Sequence, residues 1–138
     1  MTATTTPAGA ALRAVSLQNS LTVRDLEKSS AWYTDVLGCT VDRRMERDGK
    51  LVAVGLRAGS VTLLLNQDDG AKGWDRVVGQ GFSMFFTLDG GIDALAEGIK
   101  ARGGTLDLEP TDMPWGSRFM RIFDLDGYKI GIGQPIAK

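Results

Sequence analysis

The sequence predicts an α+β fold of two tandem βαβββ modules, whose eight strands are expected to form a curled mixed sheet around a central cleft. Three observations carry this reading. The order strand, helix, three strands is legible twice within 138 residues. Landmarks recur at a fixed offset: Leu26 and Ile92 open the helical stripes, Gly38 and Gly104 close them, and Gln18 and Met84 sit in the first strands, each pair 66 positions apart. Between the two runs lies NQDDGAKGWDRVVGQG, a polar and glycine-rich stretch that breaks both patterns. Residues 1–14 then read as a flexible N-terminal tail, 15–66 as the first module, 67–81 as a linker and 82–134 as the second module, within one domain.

Each element has a local reason. Val15 to Val23 alternates like a half-buried strand, with Leu17, Leu21 and Val23 on one face and Gln18, Ser20 and Thr22 on the other. Leu26, Tyr33 and Leu37 share one helical stripe; Asp25 is the expected N-cap and Gly38 the terminating C′ residue. Thr40 to Arg47, Leu51 to Arg57 and Ser60 to Leu65 read as strands separated by turns at Asp48-Gly49 and Ala58-Gly59. The second round gives a strand at Phe82 to Leu88, a helix at Ile92 to Arg102 stopped by Gly103-Gly104, and a short strand at Thr105 to Leu108. It ends in a long hairpin whose arms are Arg118 to Phe123 and Tyr128 to Gly133.

Composition bounds the chemistry. Sixteen basic against seventeen acidic residues give a net charge of −1, which does not favour nucleic acid or an anionic membrane as a partner. The opening MTATTTPAGAALRA lacks the charged and apolar segments of a leader or anchor. The single cysteine, Cys39, has no internal disulfide partner, which suits a cytoplasmic setting. The chain contains no histidine, so Ser-His-Asp and Cys-His catalysis and imidazole metal sites are excluded.

The hairpin draws most of the functional interest. Asp124-Leu125-Asp126-Gly127 is turn chemistry, and it lacks the further acids of a calcium loop. In the exit arm Tyr128, Ile130 and Ile132 point one way and Lys129, Gly131 and Gly133 the other; glycines in mid-strand signal close backbone approach or space for a ligand. Alternation places Gln18, Ser20, Thr62, Leu64, Met84, Phe86, Lys129 and Gly131 on the concave face. Trp115 is the leading stacking candidate, or else a plug at the barrel mouth; Trp74 covers the cleft or packs on the surface; Trp32 is core or a dimer contact. Arg118 is read as a partner for an anionic ligand group, as a solvated charge at the strand edge, or as an ion pair with Asp112 or Asp124. Lys129 is either a base or imine-forming amine with a lowered pKa or a chain snorkelling to the rim. No glycine-rich phosphate motif follows a strand.

LTVRDLEKSSAWYTDVLG, WGSRFMRIFDLDGYKIGIGQ and the doubled βαβββ order resemble the vicinal oxygen chelate superfamily of glyoxalases, extradiol dioxygenases and bleomycin resistance proteins, over residues 15 to 134. In its metalloenzymes a divalent ion is held by one residue from the first and one from the last strand of each module. Carried over, those positions fall on Gln18, Leu64, Met84 and Gly131, where the family has Gln or His, Glu, His and Glu. Three of the four are apolar or empty, so the resemblance implies no metal and no cofactor, and leans away from an enzyme. It points to the metal-free antibiotic-binding branch: a cytoplasmic homodimer sequestering a small hydrophobic or aromatic molecule. A cofactor-free enzyme of secondary metabolism, using Lys129, Arg118 or Tyr128 in the same cleft, stays open as an alternative, and a metal-dependent lyase or dioxygenase as a lesser one. No catalytic residue is assigned. The expected ligand-binding residues are Gln18, Ser20, Leu64, Trp74, Met84, Phe86, Trp115, Arg118, Lys129 and Gly131.

Overall fold

A computed structural model of the chain describes residues 11–136. In order the elements are β1 (Asn19–Val23), α1 (Leu26–Trp32) continued by a π-helical turn (Tyr33–Leu37), β2 (Thr40–Arg47), β3 (Lys50–Ala58), β4 (Val61–Gln67), β5 (Ser83–Thr87), α2 (Ile92–Ala101), β6 (Leu108–Asp112), β7 (Ser117–Phe123) and β8 (Lys129–Pro135). The sequence therefore folds as βαβββ twice. The eight strands divide into two four-stranded mixed sheets, ordered β1-β4-β3-β2 and β5-β8-β7-β6. The first strand of each module runs parallel to its last, Ser20 beside Leu64 and Phe85 beside Gly131, and the remaining pairs are antiparallel.

The two modules start their helices in the same way. The first N–H of a helix has no partner inside it. Leu26 N–H donates to Gln67 Oε1 and Ile92 N–H to Gln134 Oε1, both at 2.9 Å, so a glutamine from the last strand of each module holds the helix of that module. Asp25 adds the expected cap, accepting from Lys28 N–H at 3.1 Å. Gly38 ends the first helix at φ +96°, the left-handed region glycine enters without a Cβ penalty.

Two strand boundaries depart from expectation. β1 starts at Asn19 rather than Val15, its first ladder partner being Leu63 of β4; Val15 and Leu17 lie before the ladder and are exposed. β6 covers Leu108–Asp112 rather than Thr105 to Leu108. It contains Pro110, which an edge strand tolerates because the N–H that proline lacks is not needed on an unpaired edge, and its pairing with β7 is irregular there. Most of the tail expected at 1–14 lies outside the described residues, and 11–18 form no regular element.

One core joins the halves. Leu21, Val23, Val54, Leu56, Leu63 and Leu65 from the first sheet meet Met84, Met120, Ile122, Ile130 and Ile132 from the second, with Leu26, Tyr33, Ile92 and Ile99 from the helices between them. Each such side chain contributes about 1.5–3 kcal/mol through apolar burial.

Polar contacts close the same boundary. The Asp124 to Gly127 turn docks on the first module: Asp126 accepts from Arg24 N–H at 2.9 Å and Ser29 Oγ at 3.1 Å, and Tyr128 Oη donates to the Thr22 carbonyl at 2.9 Å. Arg24 also fastens the linker, donating to the carbonyls of Trp74 (3.1 Å) and Arg76 (2.8 Å). At the other end Arg102 donates twice to the Val36 carbonyl, at 3.1 and 3.0 Å.

Candidate functional site

The face of each sheet turned away from the shared core is the open face. In the second sheet strand parity puts Ser83 and Phe85 (β5), Lys129, Gly131 and Gly133 (β8), and Phe119, Arg121 and Phe123 (β7) there, side by side in register. Their core-side neighbours Met84, Met120, Ile122, Ile130 and Ile132 are all buried. The open face of the first sheet carries Ser20, Leu64, Asn66, Ala53 and Gly55, with Gln18 just before β1.

This corrects the expectation for β5. Met84 and Phe86 were expected on the concave face; Met84 is 2% exposed in the core and Phe86 packs against it. The residue on the open face is Phe85, 57% exposed. The offset between the first strands is 65, pairing Ser20 with Phe85 in structure, not the 66 that pairs the helix starts. A slip of one residue reverses every side chain in a strand. The position matching Gln18 is therefore Ser83, opposite Lys129 as Gln18 is opposite Thr62.

The glycine gap is also filled. A Cβ on Gly131 would come 2.7 Å from the Phe119 ring, and one on Gly133 would come 3.2 Å from Phe85 and 2.8 Å from Ser117 Oγ. The rings of Phe85 and Phe119 lean over the two glycines from either side and stack on each other, centroids 5.4 Å apart and planes 22° apart. Trp115, 62% exposed in the β6–β7 turn, sets its edge against Phe119 at 5.9 Å. Three aromatic rings thus form one exposed apolar platform, an arrangement in which each pair adds about 0.5–1.5 kcal/mol beyond area burial. Only Trp115 of this group was singled out in the sequence. The signal for the others was the run Met84-Phe85-Phe86 opposite two glycines, apolar throughout and therefore silent about parity.

The remaining candidates separate. Gln18 is exposed and donates to Thr62 Oγ1 at 3.1 Å; Ser20 accepts from Asn66 Nδ2 at 2.7 Å; Leu64 is half-buried between them. Trp74 is 54% exposed in the linker against Gly70, and its ring pairs with none of the platform rings. Trp32 is half-buried, edge-on to Tyr33 at 5.0 Å. Arg118 lies on the core-side parity of β7 rather than on the open face, and reaches Asp93 (2.9 Å) at the start of α2 and Asp112 (3.1 Å). The Asp112 pairing is one of the two weighed for it; Asp124 is engaged elsewhere. Hydrogen bonds to Arg118 hold the Asp93 carboxyl below its ordinary range, and the same contacts push the guanidinium up. On the open face Arg121 is tied to Asp107 at 2.6 Å. Lys129 is exposed and, among the described residues, has no carboxylate partner.

The four carried-over metal positions do not fit a divalent ion. Met84 is in the core, Gly131 lies under Phe119, Leu64 is apolar, and Gln18 offers one amide already bonded to Thr62. Among the described residues no three Cys, Asp or Glu side chains converge on one point. Register moves the third position to Ser83, whose single hydroxyl does not change the donor set.

The comparisons with known proteins agree with this architecture. The glyoxalase/bleomycin resistance protein/dioxygenase superfamily profile matches residues 14–132. A probable lactoylglutathione lyase of Synechocystis is 27% identical over 128 residues, spanning 88% of this chain and 96% of its own length. TioX from Micromonospora sp. ML1 superposes with a TM-score of 0.71 at 17% identity, over 87% of this chain and 98% of its own. TnmS3, an antibiotic binding protein from Streptomyces sp. CB03234, superposes with a TM-score of 0.68 at 22% identity, over 91% and 100% respectively. With the profile covering both βαβββ modules, the chain belongs to the glyoxalase/bleomycin resistance protein/dioxygenase superfamily.

Proposed function

We propose that this chain is a metal-free small-molecule binding protein that sequesters a flat aromatic compound such as an antibiotic without altering it. The observation that carries the reading is the Phe85–Phe119–Trp115 platform, an exposed stacking surface beside which, among the described residues, no cluster of acids that could hold a metal converges. Pockets for such ligands are mostly apolar with few polar groups. A related fold in a protein described as antibiotic binding supports the same direction. A cytoplasmic homodimer is part of the reading. Sedimentation at micromolar concentration should then give a species near 30 kDa, twice the 14.8 kDa chain. Titration calorimetry against polycyclic aromatic natural products should show saturable binding with the compound recovered intact, and Phe119→Ala should weaken it. Chemical conversion of the bound compound would refute the reading.

The second reading is an enzyme, favoured by the likeness to the probable lactoylglutathione lyase. Of the groups named for a cofactor-free version, Tyr128 is buried and bonded to Thr22, and Arg118 is committed to two carboxylates, which leaves Lys129 alone on the open face. Turnover of lactoylglutathione by dialysed protein, with one equivalent of metal found by elemental analysis, would establish that reading in place of the first.

A further inference from the structure

We infer that the ligand is an aromatic anion, its ring system on the Phe85–Phe119 stack and its acidic group at Lys129; this rests on the binding reading above. Three cations stand on β7 and β8. Arg118 is neutralised by Asp93 and Asp112 and faces the other way, and Arg121 is neutralised by Asp107. Lys129 alone has no carboxylate partner among the described residues, and it stands on the same face as the rings. It lies two residues along β8 from Gly131, so its Cα is about 7 Å from the floor of the platform at ordinary strand rise. Phe123 and Ser83 flank it in register.

Beside Lys129 lies an open recess of about 480 Å³, lined by Val77, Gly79 and Gly81 of the linker with Phe82, Phe123 and Lys129. Gly79 and Gly81 both take positive φ there, and a Cβ on Gly79 would lie 2.5 Å from the Tyr128 ring, so the loop runs close to β8 without side chains. The result is an apolar shelf ending in a polar notch with one uncompensated positive charge. A neutral aromatic would leave that charge unused, and a cationic one would be repelled. Carboxylate, sulfonate or phenolate groups are the chemistry that completes it.

The test compares two naphthalene fluorophores on the full chain: anionic 8-anilinonaphthalene-1-sulfonate and uncharged N-phenyl-1-naphthylamine. The expected result is that Lys129→Gln weakens the sulfonate about fivefold, the scale of a partly screened ion pair, and leaves the neutral probe unchanged. Lys129→Arg retains sulfonate affinity, and Phe119→Ala weakens both probes. If Phe119→Ala weakens both but Lys129→Gln changes neither, the anion inference fails while the binding reading stands. If Phe119→Ala changes neither, the platform is not the site and both fail.

Discussion

Tyr33 Oη donates a 2.6 Å hydrogen bond to Asp124 Oδ2, joining the end of the first helix to the last hairpin turn across 91 positions of sequence. Both side chains are buried, and the other carboxylate oxygen of Asp124 accepts from the N–H groups of Asp126 (2.9 Å) and Tyr128 (2.8 Å). One carboxylate therefore both ties the two modules together and shapes its own turn.

Removing either partner should destabilise the chain unequally. Tyr33→Phe leaves one buried acceptor short of a donor and should cost about 1–2 kcal/mol. Asp124→Ala strands the tyrosine hydroxyl and two N–H groups together and should cost about 3 kcal/mol or more. Urea denaturation midpoints at constant m-value check both; equal costs would contradict the geometry.

Burial pushes the Asp124 carboxyl up, against its hydrogen bonds from Tyr33, Tyr128 and Asp126. A raised carboxyl favours the fold in its protonated state. Its contribution is thus present below the ordinary carboxylate pKa of about 4 and is lost as pH rises through the raised value. The corresponding slope of stability with pH should vanish in Asp124→Asn.

Both tyrosines of the chain are pushed up, Tyr33 by burial and by Asp124, and Tyr128 mainly by burial. Stability from keeping them protonated is present below the ordinary phenol pKa of about 10 and is lost as pH climbs above it. The absorbance step at 295 nm in an alkaline titration should coincide with loss of the far-ultraviolet circular dichroism. Ionisation of a tyrosine before unfolding would count against this burial.

Cys39 is buried, and burial raises its thiol to about 11. The thiolate is the reactive form, so at pH 8 a disulfide dye should react only after denaturant is added. Immediate reaction of one equivalent in the folded protein would contradict the packing.

Gly131→Ala should displace the Phe119 ring rather than strain the backbone, since Gly131 has an ordinary φ and the clash is at the ring's far end. A loss of about 1–2 kcal/mol is expected, and combination with Phe119→Ala should cost less than the sum of the two changes. Strict additivity in the thermodynamic cycle would mean that the ring does not lie over the glycine.

Much of this was legible in the chain. Strand faces were readable wherever polar and apolar residues alternate, as in Asn19–Val23 and Lys129–Ile132, and the helical stripe through Leu26, Tyr33 and Leu37 is buried as its spacing requires. The face of β5 was not, because Met84, Phe85 and Phe86 are all apolar and a repeat offset that varies between 65 and 67 gives no fixed register. The space beside Gly131 was legible, but its occupant was the Phe119 ring reaching diagonally from the neighbouring strand β7, which local sequence does not report. For Arg118, Asp112 could be named from the hairpin, whereas Asp93 comes close only through the docking of α2.

The twin glutamine links, Gln67 to Leu26 and Gln134 to Ile92, have a consequence for how the molecule comes apart. Each fastens a module to itself, while the modules are held to each other by shared apolar surface, the Asp124–Asp126 turn, Tyr128 on the Thr22 carbonyl and Arg102 on the Val36 carbonyl. Two fragments produced by cutting within residues 70–80 should each be poorly folded alone and regain the native spectrum when mixed, like a split reporter whose pieces carry their own internal latches.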